Sequence, residues 1–269
     1  MPGMVYVEIG VSDLDRSEEF YAGLLGLPVE SSGVDEAGRR VRWLGSDATD
    51  GGTGSVKLVE LGSDARPTNW DRSDLQRGIR HFGLKVRGID AHVDRLKNAG
   101  TDVVVDPFDA FGDVRIAFFF DPDGAYLEFV QGHVNHNNLW SAELAAQEKD
   151  AYQDWDGTPR FDHVAVTVPD LDEALGFYRD ELDFGVVGQL VRDDDENGFL
   201  ITNLRGGAGT LEVFTYTPQT HGRDGIGEPD RLGLRSVGVR VGAAGTTGRV
   251  VGPGDVPLDL IAAGGQVPA

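Results

Sequence analysis

Residues 5–21 of the chain read VYVEIGVSDLDRSEEFY, and residues 162–178 read DHVAVTVPDLDEALGFY. The two stretches are similar and form an internal sequence repeat. Each copy predicts an alternating apolar strand, a turn that contains Asp-Leu-Asp, and a helix that ends in Phe-Tyr. Internal repetition of this kind fixes the architecture before any single residue is considered. It also allows the copies to be superimposed, so that candidate site residues can be compared by position.

Two further copies of the unit are weaker. Residues 79–100 predict a strand of period two and then a helix closed by Asn-Ala-Gly, an ordinary helix C-terminal signal. Residues 235–241 predict a fourth such strand, but GAAGTTGRVVGPG at 242–254 replaces the helix and is too rich in glycine to be helical. A closing strand aligns in all four units: SVKLVEL at 55–61, AYLEFVQ at 125–131, TLEVFTY at 210–216 and VPLDLIA at 256–262.

The chain therefore consists of strand–helix–strands units that begin near residues 4, 79, 160 and 233. Between the second and third units lies SAELAAQEKDAY, which favours a helix, with Ser141 as a candidate cap. We predict three parts: an N-terminal pair of units at 1–133, a helical connector at 134–159, and a C-terminal pair at 160–269 whose last unit is degenerate.

Composition narrows the class of partner. The net charge of −21 argues against nucleic acid or an anionic membrane surface. No apolar run reaches the roughly 18 residues of a membrane helix, and the N-terminal MPGMVYVEIG enters a strand directly, which argues against a signal peptide. The chain has no cysteine, which excludes disulfides and thiol catalysis and fits a cytoplasmic location. We expect a small-molecule substrate as partner and a monomer or homodimer.

Alternation along each strand decides which side chains share a face. In the strand that starts at Asp162, the valines must pack on the helices, so His163 lines the concave side of a curved sheet. The same reasoning places His81, Glu128 and Glu212 on concave faces, and a carboxylate in a short apolar strand is costly unless it has a partner. Superimposing the units gives four pairs of equivalent concave positions: Tyr6 with Lys57, His81 with Glu128, His163 with Glu212, and Ser236 with Asp259.

Two of these pairs carry metal-ligating side chains. Imidazole plus carboxylate is a ligand set for Zn, Ni, Fe, Mn or Co. A lone histidine on a strand is more often an ordinary core residue than a metal ligand. Two histidines and two glutamates at equivalent positions of a repeated pattern favour a metal site instead. We therefore predict one divalent ion of this group, held by His81, Glu128, His163 and Glu212.

The sequence resembles the vicinal oxygen chelate superfamily, which includes glyoxalase I, extradiol dioxygenases, methylmalonyl-CoA epimerase, and fosfomycin and bleomycin resistance proteins. The resemblance rests on VSDLDRSEEFYAGLLGL at 11–27, VPDLDEALGFYRDELDF at 168–184 and FDPDGAYLEF at 120–129. It implies an α+β fold of four βαβββ units, the fourth eroded, whose curved mixed sheets pair into open barrels or cups with helices outside. It also implies that each unit supplies a histidine or similar ligand from its first strand and a glutamate from its last.

The pairing of the units decides which ligand set is complete. The resemblance to extradiol dioxygenases implies iron ligands from the last two units, where this chain has His163, Ser236 and Asp259, and serine is a poor ligand for ferrous iron. Pairing the second unit with the third completes the His/Glu/His/Glu set, and fused glyoxalase-type proteins pair in this crosswise way. If the units pair in chain order instead, the remaining set is His163, Glu212 and Asp259.

The complete set predicts a glyoxalase-like or epimerase-like lyase or isomerase that acts on a small vicinal-oxygen substrate. Chelation of two adjacent substrate oxygens polarises the carbonyl and stabilises an enediolate formed by proton removal beside it. Glu128 or Glu212 can leave the ion and act as the catalytic base. Two alternatives stay open: a relative of the ring-cleaving extradiol dioxygenases, and a metal-free small-molecule-binding or drug-resistance protein.

Overall fold

A computed structural model of the chain describes residues 3–46, 54–207, 209–225, 228–242 and 245–265. Within these ranges the strands are β1 (Gly3–Val11), β2 (Val29–Val34), β3 (Arg40–Ser46), β4 (Gly54–Glu60), β5 (Gly78–Lys85), β6 (Val103–Asp109), β7 (Arg115–Phe120), β8 (Tyr126–Gln131), β9 (Asn138–Leu139), β10 (Arg160–Thr167), β11 (Gly185–Arg192), β12 (Phe199–Gly206), β13 (Gly209–Tyr216), β14 (Gly233–Arg240), β15 (Gly248–Gly252) and β16 (Val256–Ile261). The helices are α1 (Leu14–Glu18), α2 (Ile89–Asn98), α3 (Ala142–Gln153) and α4 (Leu171–Leu175), with a 3₁₀ turn at Pro253–Asp255.

The first three units each have the order strand, helix and three strands, which confirms the predicted α+β class and the βαβββ repeat. In the fourth unit, β14 is followed by β15 and β16, and the described residues between β14 and β15 form no helix. The predicted erosion of the fourth unit is therefore confirmed. Among the described residues, none of the helices has the length and apolar character needed to span a membrane.

The strands form two curved mixed sheets that do not close on themselves. One has the order β15-β16-β14-β1-β4-β3-β2, and the other has the order β6-β7-β8-β5-β10-β13-β12-β11-β9. The first unit thus pairs with the fourth and the second with the third, which is the crosswise arrangement that the ligand count favoured. Each sheet takes strands from both 1–133 and 160–269. The boundaries of these two groups and of the connector remain predictions.

The repeated Asp-Leu-Asp turn begins a helix in both copies. Asp13 caps α1 by accepting hydrogen bonds from the backbone N–H of Asp15 and Arg16, and Asp170 caps α4 by accepting one from the backbone N–H of Glu173. Such caps satisfy donors that the first helical turn leaves free. The helices do not end at Phe-Tyr as predicted, because each continues as a π-helical turn, over Glu19–Leu24 and Gly176–Glu181.

A single apolar core joins the helical faces of both sheets. The inward valine of β10 at position 164 is completely buried, as is Phe82 on β5, and residues of both sheets belong to one cluster. Tyr21 of α1's π-helical turn stacks on Phe82 at 6.4 Å between ring centroids and donates its hydroxyl to Asp121 at 2.9 Å. The two sheets are therefore held together by side chains that cross between units, and their concave faces lie on the side away from this core.

The concave face of the seven-stranded sheet is filled by its own ion pairs. Glu8 lies 2.9 Å from the Arg235 Nε and 3.5 Å from the Lys57 Nζ, and all three side chains are buried. Asp259 accepts hydrogen bonds from the hydroxyls of Tyr6 and Ser236 at 3.2 and 2.6 Å. Lysine, arginine and hydroxyl groups thus stand where a cation would have to be, so these positions are structural.

We expect Glu8→Ala to destabilise the protein by about 3–5 kcal/mol, because it leaves Arg235 and Lys57 buried without their shared counter-ion. Urea denaturation measures the free energy of unfolding. Asp230→Ala is the matched control: its pair with Arg66, at 2.6 Å, is about half exposed, and its loss should change stability little. Equal effects of the two substitutions would contradict the structural role of the buried cluster.

Candidate metal centre

The concave face of the nine-stranded sheet brings the four predicted metal ligands together. His81 stands on β5, Glu128 on β8, His163 on β10 and Glu212 on β13, the four central strands of that sheet. One ligand atom from each lies within 4.8 Å of every other. His81, Glu128 and His163 are buried, and the Glu212 side chain is 13% exposed.

The strand register explains how the site is assembled. Strands β5 and β10 run antiparallel, with Ala165 opposite His81 and Gly83 opposite His163. Gly83 is the neighbour of Glu128 across the parallel β5–β8 pair, and Ala165 is likewise the neighbour of the β13 glutamate. Each imidazole therefore lies over a small residue of the partner unit and beside that unit's glutamate. The site exists only where two units meet.

Gly83 is required by the position of the His163 ring, because a Cβ added at residue 83 would lie 2.0 Å from its Cε1 atom. We expect Gly83→Ala to displace the ring, to abolish metal binding and to lower the free energy of unfolding by about 1–3 kcal/mol. Metal titration and urea denaturation measure the two effects. Gly33→Ala is the control, since no atom lies within 4 Å of its added Cβ. A Gly83→Ala protein that binds metal normally would show that the ring does not need this space.

Glu128 lies between the two imidazoles. Its Oε2 atom is 3.0 Å from the Nε2 atoms of both His81 and His163. Burial alone raises the pKa of Glu128, but the two adjacent imidazoles outweigh it and bring this pKa down to about 2. Burial lowers the pKa of His81 to about 4. His81 is therefore neutral at physiological pH, which is the form that ligates metals.

Glu212 is held more loosely than Glu128. Its Oε2 atom is 3.6 Å from the His163 Nε2, and its Oε1 atom accepts one long hydrogen bond of 3.4 Å from Asn203. Burial and the neighbouring carboxylates of Glu128 and Asp162 raise its pKa to about 7. This carboxylate has the greatest freedom to move of the four candidate ligands.

Asp162 is a site residue that alternation along the strand does not predict. It precedes His163 and should face the helices, but the β10–β5 register shifts between Phe161 and His163, so a β-bulge turns Asp162 toward the concave side. Its carboxylate lies 3.0 Å from the His163 Nδ1 and 3.1 Å from the Nζ of the fully buried Lys85. The carboxylate thereby fixes the ring so that Nε2 faces the centre.

The donor set fits a divalent cation. The Nε2 atoms of His81 and His163 are buried and face the centre, yet neither has a hydrogen-bond partner of acceptable geometry among the described residues. Buried polar atoms normally have partners. Two imidazoles and two carboxylates that converge in this way match the ligand preferences of Zn, Ni, Fe, Mn or Co.

The alternative ligand set is not assembled. Asp259 lies on β16 in the seven-stranded sheet, whereas His163 and Glu212 lie in the nine-stranded sheet. Its carboxylate also pairs with the Arg249 Nε at 2.8 Å. The set of His163, Glu212 and Asp259 was conditional on pairing in chain order, and that pairing does not occur.

The four residues lie at the base of a cavity of about 270 Å³. Its walls come from both units, with Phe118 of β7 and the turn before it on one side and Phe199 and Phe214 of the third unit on the other. Asp74, Arg80 and Arg192 also reach its lining. A small molecule can therefore enter on the open side of the candidate ligands.

Comparison with known proteins agrees with this geometry. The family model described as Glyoxalase/Bleomycin resistance protein/Dioxygenase superfamily matches residues 3–129 and 160–250. A probable lactoylglutathione lyase of Synechocystis sp. is 30% identical over 131 residues, which are 48% of this chain and 94% of that protein. A probable chloroplastic lactoylglutathione lyase of Arabidopsis thaliana is 26% identical over 230 residues, 85% of this chain and 56% of that protein.

Solved structures share the fold over most of the chain. Glyoxalase I from Zea mays superimposes with a TM-score of 0.63 at 18% identity, covering 89% of this chain and 74% of that one. A putative dioxygenase from Bacillus subtilis gives a TM-score of 0.64 at 14% identity, covering 97% and 84%. These identities establish the fold alone. With the family model matching most of its length, the chain belongs to the Glyoxalase/Bleomycin resistance protein/Dioxygenase superfamily.

Proposed function

We propose that this protein is a metal-dependent lyase or isomerase that transfers a proton next to a carbonyl of a small substrate with two adjacent oxygens. The observation that carries the proposal is the convergence of His81, Glu128, His163 and Glu212, with ligand atoms within 4.8 Å of one another, at the base of a cavity. The family membership and the lactoylglutathione lyase names of its relatives agree with it.

The four candidate ligands have different roles in the proposed reaction. When bound, a divalent ion would polarise the substrate carbonyl and lower the pKa of the adjacent C–H group. His81, Glu128 and His163 are the fixed residues, because all three are buried and Asp162 orients the His163 ring. Glu212 is the base, because its weaker contacts leave its carboxylate free to approach a substrate carbon.

The same donor set disfavours ring cleavage with dioxygen. That chemistry is typical of iron held by two histidines and one carboxylate with open positions. Here a second carboxylate, Glu212, completes the set and reduces the net positive charge at the centre. Proton transfer fits this environment better than oxygen activation.

The test loads the purified protein with Zn, Ni, Mn, Co or ferrous iron and follows exchange of substrate C–H for deuterium in D₂O by proton NMR. The substrates are hydroxyacetone, the hemithioacetal of methylglyoxal with glutathione, and an α-carbonyl thioester. We expect about one ion per chain and exchange that stops when a chelator removes it. Bound metal without exchange on any of these substrates would contradict the proposal. So would a yellow ring-fission product from catechol that disappears in His163→Ala.

A further inference from the structure

We infer that the substrate of this site is a compact molecule with an aromatic or branched apolar arm beside its two vicinal oxygens, and that it carries no glutathione-like tripeptide. The inference rests on the proposed function and specifies its substrate class. It comes from the walls of the cavity and not from the candidate metal ligands.

Aromatic rings form the walls from both units. Phe108, Phe111 and Phe118 come from β6, β7 and the turn between them, and Phe199 and Phe214 face them from β12 and β13. Such a lining favours a ligand with an apolar group, because burial of apolar surface of the ligand and of the rings stabilises the complex between them.

Two of these rings are exposed at the mouth of the cavity. Phe108 is 44% exposed and Phe111 is 42% exposed, although most phenylalanines of the chain are buried. Large exposed rings grouped at a cavity mark a surface that a ligand covers. Core packing does not explain them, because both line the cavity and neither is buried.

The charges of the lining are already paired. Arg80 pairs with Asp74 at 2.6 Å, donates a hydrogen bond to Tyr216 and lies over the Phe214 ring at 4.8 Å. Arg192 pairs with Asp194 at 2.7 Å and lies over the Phe111 ring at 4.8 Å. These arginines are the only lysine or arginine residues among the described residues that line the cavity.

A glutathione arm does not suit this environment. It brings two carboxylates and an ammonium group, each of which needs a partner when it leaves water. The lining offers no unpaired lysine or arginine, and it already holds the carboxylates of Glu128, Asp162 and Glu212. The cavity of about 270 Å³ is also below the roughly 300–1,000 Å³ of sites for drug-sized ligands.

The test measures binding to the metal-loaded protein by calorimetry with three probes that share adjacent oxygens. These are 2-hydroxyacetophenone with an aryl arm, hydroxyacetone with a methyl arm, and S-lactoylglutathione with a tripeptide arm. We expect the aryl probe to bind about tenfold or more tightly than hydroxyacetone, since a phenyl ring buries several more apolar carbons. S-lactoylglutathione should bind no more tightly than hydroxyacetone.

Variants locate the effect. Phe111→Ala and Phe199→Ala should each reduce the aryl-to-methyl affinity ratio severalfold. Val251→Ala, at a 68% exposed position of the seven-stranded sheet, is the control and should alter nothing. Tighter binding of S-lactoylglutathione, or equal binding of the aryl and methyl probes, would overturn the inference while leaving the metal-dependent reaction intact. Failure of deuterium exchange with normal aryl selectivity would instead refute the reaction and keep the substrate class.

Discussion

Glu212→Gln is expected to lose about 10²–10⁴-fold of the deuterium-exchange rate while keeping the metal, because the amide oxygen still ligates but cannot accept the substrate proton. The base role is assigned to this residue by its loose contacts, of which the shortest to a neighbouring side chain is the 3.4 Å hydrogen bond from Asn203. Proton NMR in D₂O gives the rate, and elemental analysis of the same sample gives the metal content.

Asn203→Ala is the comparison variant for this prediction. It removes the neighbour of Glu212 but not a ligand or a base, so its effect on the rate should be far smaller. If Glu212→Gln exchanges at the normal rate with metal bound, the base is another group, and Glu128 becomes the next candidate. If Glu212→Gln loses the metal as well, the separation of ligand and base between the two glutamates is wrong.

Glu128→Ala and His163→Ala are each expected to reduce the metal content from about one ion per chain to none. Loss of Glu128 removes the carboxylate that lies 3.0 Å from both imidazoles, and loss of His163 removes one of those two imidazoles. Substitution even of residues that only support a ligand costs about 10–100-fold in metal affinity, so loss of a ligand should cost more. Equilibrium dialysis against the metal measures the affinity.

Asp259→Ala is the matched control for the ligand variants, since Asp259 occupies the equivalent position of the fourth unit but lies in the other sheet. Its metal content should match that of the unchanged protein. Circular dichroism should show that both ligand variants remain folded. Full metal content in both of them would refute the assignment of the site.

The sequence predicted which four candidate ligands lie close together, because their positions depend on local alternation. On β5 and β10 the side chains of a strand alternate between two faces, so the burial of one valine row places His163 on the opposite face. The repeat then identified the equivalent His81, and the closing strands gave the two glutamates. Counting ligands also gave the pairing of units, since a single arrangement completed the set.

Asp162 and the role of Gly83 could not be predicted in this way. The carboxylate of Asp162 reaches the site because of a bulge in the pairing of β10 with β5, two strands that belong to different units. A bulge depends on the register between units and leaves no mark in the alternation of one strand. Gly83 is needed because the His163 ring of the third unit lies against it. This contact becomes visible only once the pairing of the units is known.

The central claim is that one divalent ion lies between the second and third units. Anomalous scattering from crystals of the metal-loaded protein, collected at the absorption edge of the metal, tests it most directly. We predict one strong peak per chain, about 2.0–2.2 Å from the nearest atoms of His81, Glu128, His163 and Glu212. A peak at the Asp259 cluster instead, or no peak between the four residues in fully loaded crystals, would contradict the account.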